Sequence, residues 1–433
     1  LAEAQSTYVR TRVRADELWA EIKKNAPRAY APPLTPEQGV KVLPSGTLFV
    51  AFSVGEEQTH LFLLRSDPSA ALPLAAYAVS ITSKELEALV QALRQSLESP
   101  KNLARTLSAS RALFTRLFPP QAQAALQAAP RLLVSPDGPL WDVPFAALVT
   151  NAQGSPKYLG ADKAITYTQS LTLFAQSRQD VPQLAKGQKP SALVVGDPIF
   201  DRKTVALAAT TPLRPLPRGE RGYLMGDGQP PTPLPHTRTE AVKIAQLYSS
   251  VALTEREATE AALRERIATA DVIHMATHGY FFPARAMSSG VLLTAPEKEP
   301  EIGDTNNDGV LQAWEIYSQL KLKAELVVLS ACETGRGKNV RGEGLIGLTR
   351  ALQYAGARSV LASQWKVADF STAKLMLAFH HALRGGLAKD EALRRAMALV
   401  RQNPGTAHPY FWAPFFLTGD PSNPNLGTEP KRR

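Results

Sequence analysis

The 433 residues carry 49 Lys and Arg against 39 Asp and Glu, a net charge of +10 at pH 7. The excess is spread along the chain with no compact basic cluster, so neither a nucleic-acid nor a membrane surface is indicated and solvated surface is the default. No apolar run approaches the roughly 18 residues of a membrane span, no signal-peptide pattern is present, and a single cysteine, Cys332, excludes an internal disulfide and fits a reducing cytoplasm.

The chain opens on Leu1 rather than Met, so a missing targeting signal excludes little. Residues 1–26 carry a helical apolar stripe of Tyr8, Val13, Leu18, Trp19 and Ile22, ended by Pro32 and Pro33. Residues 47–54 and 59–64, separated by turn residues, predict a hairpin. Two amphipathic helices are predicted over 84–99 and 101–117, broken at Pro100. Strands follow at 131–134, before the turn Pro136-Asp137-Gly138, and at 192–195. The stretch 201–235 is rich in Pro, Gly and Arg and reads as a long exposed loop. It is either a plain insertion, the favoured reading, or a processing segment offering Arg214, Arg218 and Arg221 to a protease.

From Glu240 onward strands and helices alternate. Strands are predicted at Asp271, Val291, Leu326 and Ser359, and helices over 239–248, 259–267, 344–354, 371–383 and 389–402. That alternation predicts an α/β protein with a mostly parallel sheet covered by helices on both faces. The length allows two or three domain-sized units, or one large domain with an accessory half. The division expected is an N-terminal helical segment (1–35), a first half (36–235) ending in the loop 201–235, a catalytic second half (236–420) and a C-terminal tail (421–433).

Two strand ends carry the chemistry. The run KAELVVLSACETG (323–335) is apolar through Leu329 and ends at Cys332; DVIHMATHG (271–279) is apolar through Ala276 and ends at His278 and Gly279. Ligands bind at the carboxyl ends of strands in open α/β sheets. A thiol there becomes a nucleophile when a histidine takes its proton, though a lone cysteine is also a small buried hydrophobe. His274, inside its apolar run, reads as a packed core histidine with its own hydrogen bond. Gly279 lets backbone approach a reacting carbonyl, and its N–H suits an oxyanion.

Two further motifs stand between and after these strands. DTNNDGVLQAWE (304–315) fits a calcium-loop template: side-chain oxygens from Asp304, Asn306 and Asp308, the turn at Gly309, the carbonyl of Val310, a water through Gln312, and Glu315 as the bidentate end. The alternative is a polar turn with an Asp N-cap for a helix over 311–320. GEGLIG (342–347) matches a dinucleotide fingerprint but begins too far from the preceding strand, so it reads as helix entry and backbone packing. It defines a rival reading, a nucleotide-binding α/β protein.

HMATHG and LVVLSACETG, in that order, resemble the CHAT family of caspase-like and separase-like cysteine peptidases of clan CD. So do SPDGPLWDVPFAAL (135–148), ALVVGDP (192–198), LPHTRTEA (234–241), GEGLIGLTRALQYAGARSVLASQWKVAD (342–369) and HPYFWAPFFLTG (408–419). The resemblance runs from about Leu48 to Gly419. It implies a caspase-like fold and a catalytic dyad of His278 and Cys332, with the N–H groups of Gly279 and Cys332 binding the oxyanion. It further implies that the first half, with no Cys and only His60 before His236, is a pseudo-caspase layer.

WKVAD (365–369) is similar to a tryptophan-to-aspartate segment of separase in which the acid recognises arginine before the cut. Asp369 is therefore the candidate specificity residue for Arg or Lys, and Trp365 its apolar wall; a helix N-cap is the alternative for Asp369. In this family tetratricopeptide repeats often precede the domain, but no such period occurs in this sequence. The resemblance implies an endopeptidase of bacterial origin acting on a protein or peptide substrate, with an upstream repeat region or regulatory protein as partner. It needs no cofactor for chemistry and leaves room for regulation by Ca2+. A catalytically silent scaffold of the same fold is the alternative.

Overall fold

The computed structural model describes residues 32–66, 74–98, 100–179, 188–200, 231, 233–280, 283–296, 307–330, 332–333, 343–365, 369–424 and 426–427. The helical stripe of 1–26 and nearly all of the loop 201–235 lie outside them. Among the described residues, no helix is long and apolar enough to cross a membrane.

The strands are β1 (Thr47–Val54), β2 (Thr59–Arg65), β3 (Leu74–Val79), β4 (Arg131–Ser135), β5 (Ala164–Tyr167), β6 (Ala192–Pro198), β7 (Leu253–Glu255) and β8 (Val272–Ala276). They continue with β9 (His278–Tyr280), β10 (Gly290–Leu292), β11 (Val310–Gln312), β12 (Leu326–Leu329), β13 (Cys332–Glu333), β14 (Ser359–Ser363) and β15 (Phe415–Gly419). Eleven form one sheet in the order β3-β2-β1-β4-β5-β15-β14-β12-β8-β6-β7, and four form a small sheet in the order β11-β10-β9-β13. The large sheet is parallel except for the β1–β2–β3 meander and the β14–β15 pair. Every residue of β8, β12 and β14 is buried, which is why they are mostly apolar, with His274 in β8 and a serine at each end of β14 as the exceptions.

The helices are α1 (Pro36–Val42), α2 (Ser83–Leu97), α3 (Leu103–Leu117), α4 (Pro120–Ala128), α5 (Leu159–Asp162) and α6 (Leu171–Ser177). The second half adds α7 (Pro235–Leu247), α8 (Glu260–Ile267), α9 (Ala313–Gln319), α10 (Glu343–Ala355), α11 (Asp369–Arg384) and α12 (Lys389–Arg401). The expected hairpin and the helix pair around Pro100 are present. Thr82 and Glu85 close a capping box on α2, and the Asn102 side chain caps α3, so each helix has its own start signal.

Three placements differ from the division expected from sequence. β6 lies before residue 236 yet sits between β7 and β8. The strand expected at Val291 belongs to the small sheet, and the segment expected as a tail is packed: Leu426 is fully buried and the Asn423 amide donates to the carbonyls of Leu383 and Leu387.

One apolar core runs through both halves. Edge-on aromatic pairs cross the seam between them, Tyr167 with Phe416 at 5.4 Å and Tyr158 with Trp412 at 5.0 Å. At the edge of the sheet where β12 and β14 begin, Lys389 is fully buried against Glu325 (3.2 Å), the Ser359 hydroxyl (3.0 Å) and the Asp420 carbonyl (3.3 Å). Arg358 pairs with both Glu325 and Asp420, and Arg178 reaches Asp420 at 3.0 Å. Three cations and two carboxylates thus clamp α12, β12, β14 and the end of β15 together. The opposite edge is left for the strand ends that carry His278 and Cys332.

Candidate active site

β8 and β12 are parallel neighbours, with Met275 level with Leu329. Both chains then leave the large sheet. Three residues on they pair again, in parallel, as β9 and β13 of the small sheet, with Cys332 level with His278 and Glu333 level with Gly279. Adjacent strands lie about 4.8 Å apart, so the backbone brings the two candidate residues side by side. The side chains of Cys332, Glu333 and Asp369 lie outside the described structure.

The turn between β8 and β9 is pinned. Thr277 is fully buried and its hydroxyl donates to the Leu292 carbonyl at 2.5 Å. β9 is held on its other side by β10, with Tyr280 level with Gly290 and Gly279 level with Val291. Gly279 therefore lies in the middle strand position between β10 and β13. His278 is 2% exposed, and its ring meets that of Phe200 at 5.1 Å between centroids, tilted by 53°. Phe200 follows the end of β6 and gave no sequence signal beyond being apolar.

His274 is a core residue, as its place in the apolar run predicts. It is fully buried and its Nε2 lies 2.9 Å from the Glu240 carboxylate. Its Nδ1 lies 3.2 Å from Nε2 of His380, whose Nδ1 lies 3.0 Å from the Tyr248 hydroxyl. One arrangement of protons satisfies every atom: Tyr248 O–H donates to His380, His380 N–H to His274, and His274 N–H to Glu240. Burial, then His274 and His381, hold His380 well below the ordinary histidine range, so it is neutral, as this chain requires. The chain joins α7, β8 and α11, and β8 leads through Thr277 into His278.

Asp369 opens α11. Trp365 is 5% exposed; its indole N–H donates to the Tyr410 carbonyl at 3.1 Å and the Arg94 guanidinium lies 5.4 Å from its ring. Gly347 lies where a Cβ would come within 2.9 Å of the Ala286 Cβ. That close approach of α10 to the 283–288 turn gives the glycine-rich stretch a packing role.

In the loop with the calcium template, Asp304 and Asn306 lie outside the described residues. Gly309 turns with φ +88°, as the template needs, and its N–H donates to Glu260 at 3.2 Å. Asp308 accepts from the Val310 N–H at 2.8 Å, and Val310 and Gln312 belong to β11. Glu315 is buried; one oxygen takes Arg264 at 2.8 Å and the other the Gln312 N–H at 2.8 Å. The helix starts at Ala313 with Gln312 and Glu315 as its capping box, rather than at 311 on an Asp cap. Among the described residues no group of three or more His, Cys, Asp or Glu is arranged to hold a metal. A cation using Glu315 has to displace Arg264 first.

A parallel sheet whose neighbouring strands lead into His and Cys is the caspase-like α/β arrangement. The fold of this chain is similar to that of the solved Saccharomyces cerevisiae separase–securin complex, with a TM-score of 0.53 over 88% of this chain and 30% of that one at 8% identity. The family model for the CHAT domain matches residues 107–420, and the chain belongs to that family. Among curated proteins it is 27% identical to human tetratricopeptide repeat protein 28 over 324 residues, 67% of this chain and 12% of that one. The mouse protein of the same name is 29% identical over 212 residues, 43% of this chain and 9% of that one. The chain thus spans about an eighth of the human relative's length.

Proposed function

We propose that the protein is a cysteine endopeptidase working through His278 and Cys332. The observation that carries this reading is the in-register pairing of the two residues on β9 and β13, at the carboxyl ends of adjacent parallel strands. His278 takes the thiol proton as the Cys332 sulfur bonds to the peptide carbonyl carbon. The N–H groups of Gly279 and Cys332 hold the oxyanion. Collapse of the tetrahedral adduct breaks the C–N bond, and His278 delivers the proton to the leaving amine. Water, deprotonated by His278, then cleaves the acyl-thioester and restores the thiol. Asp369, at the start of α11, selects a basic residue before the cut, with Trp365 behind it.

The test is cleavage of fluorogenic peptides with Arg, Lys, Leu or Asp before the cut, by wild type and Cys332→Ala, each with calcium and with chelator. Activity on Arg or Lys that vanishes in Cys332→Ala supports the whole reading. Activity on Leu or Asp keeps the dyad and removes Asp369 from it. Loss of activity with chelator supports a regulatory calcium site at Asp304, Asn306, Asp308, Val310, Gln312 and Glu315. The second reading, a silent scaffold, is favoured by the names of the curated relatives, which are tetratricopeptide repeat proteins. It predicts no labelling of Cys332 by a peptidyl electrophile. In either reading the partners are proteins: a substrate, a repeat region in a longer chain, or a regulatory protein, as the separase neighbour is seen in complex with securin.

A further inference from the structure

Phe200 is 7% exposed and packs with Leu292 and Val310 in a small cluster separate from the main core. Its backbone is tied down next to the ring: the Ile199 N–H donates to the Thr294 hydroxyl at 3.1 Å, and the Ala295 N–H donates to the Ile199 carbonyl at 2.8 Å. Leu292 also receives the Thr277 hydroxyl that pins the turn before His278. The phenyl ring therefore packs on the small sheet that carries the imidazole. Their centroids are 5.1 Å apart, inside the roughly 6 Å at which an aromatic face attracts a cation.

We propose that Phe200 is a positioning residue for His278, fixing the ring and favouring its protonated form once the thiol has given up its proton. This rests on the peptidase reading above. Among the described residues, the other titratable groups on the elements around the imidazole are few, beginning with Tyr280 on β9 itself. β13 carries Cys332 and Glu333, and β10 and β11 carry none, with Asp308 just before β11. The exit of β6 carries Asp197, half-buried and 4.0 Å from Arg238. An ion pair of thiolate and imidazolium titrates in two steps. Loss of the thiol proton beside an imidazolium has the same cation on both sides and is unaffected by the phenyl ring. Loss of the imidazolium proton comes earlier when the ring is removed.

Cys332 is the only cysteine of the chain, so alkylation reports on it alone and needs no peptide turnover. Iodoacetate is the probe, because an anionic reagent loses rate when the neighbouring imidazolium is neutralised. Wild type is expected to give a bell-shaped pH profile. In Phe200→Leu the upper limb falls earlier by roughly half to one pH unit, from a cation–aromatic interaction of that size, while the lower limb stays. Phe200→Tyr restores the wild-type profile. Phe200→Met serves as a second aliphatic variant if Phe200→Leu melts early. Superposed wild-type and Leu profiles overturn the proposal and leave the dyad standing. An equal shift in the Tyr variant also overturns it, since the aromatic ring is then not the cause. A wild-type rate that only rises near pH 8.5, the ordinary cysteine value, defeats the dyad and the proposal with it.

Discussion

The buried chain Tyr248–His380–His274–Glu240 makes a quantitative prediction, because its donors run one way and each atom has one partner. Tyr248→Phe removes one donor and strands the Nδ1 acceptor of His380, at a cost of about 1–3 kcal/mol. His380→Leu strands two groups, the tyrosine hydroxyl and Nδ1 of His274, at about 2–6 kcal/mol. In the double variant the tyrosine change removes a hydroxyl that already has no partner, so it adds nothing and relieves part of the cost. The double variant strands only Nδ1 of His274, so the two changes must be non-additive by about 2–6 kcal/mol. Guanidinium midpoints with unchanged slopes at pH 8 measure it.

The same chain gives a pH effect. His380 is depressed in the folded state, so below its unfolded value of about 6.5 the unfolded chain binds a proton that the native chain refuses. Its contribution to stability is complete above that pH and falls by up to about 1.4 kcal/mol per unit as the solution becomes more acidic. His380→Leu removes that share of the acid loss. Additive costs, or an acid limb identical in wild type and His380→Leu, would refute the hydrogen-bond chain.

Three further outcomes follow from packing and charge. Glu325→Leu leaves three cations, Lys389 and Arg358 of them buried, with one carboxylate and is expected to cost about 3–5 kcal/mol, whereas Lys389→Met leaves two of each sign and costs less; denaturant midpoints rank them. Gly356→Ala places a Cβ 2.1 Å from the Leu322 carbonyl oxygen at φ +123° and is expected to destabilise strongly, while Gly386→Ala, with φ +86° and nothing within 4 Å, costs only the roughly 1–2 kcal/mol of a left-handed residue. Burial, then the nearby Glu260, pushes Glu315 up to about 7 from its ordinary 4.5. Between those pH values the native chain holds a proton the unfolded chain has lost, so stability declines with rising pH there. Melting curves should show Glu315→Gln gaining on wild type across that range.

What the sequence disclosed follows from the length and locality of each signal. β8, β12 and β14 are four or five residues of mainly apolar character, and helices such as α2 and α12 carry a clear stripe, so their positions were readable. His278 and Cys332 were readable because each ends such a run. β9, β11 and β13 have three residues or fewer, too short for any period, yet they supply the register that brings the two together. Phe200 is one apolar residue before a Pro- and Arg-rich stretch. Glu240, His380 and Tyr248 lie 34 to 132 residues from their partners, and nothing local marks a hydrogen bond over that distance. The calcium template shows the converse: a matching spacing says nothing about Arg264, which comes from another helix and takes the last carboxylate.

The position of β15 has a consequence for biosynthesis. Residues 415–419 lie between β5 and β14, in the interior of the large sheet, and every one of them is buried. A nascent chain that has emerged only as far as α12 has both flanking strands and nothing to put between them. Two buried edges of four and five residues, one on each half, stay open to water and to other chains until those five residues arrive. Translation that stops short of them yields a product bound for chaperones or aggregation, and the sheet that presents His278 and Cys332 closes only after the ribosome has passed residue 419.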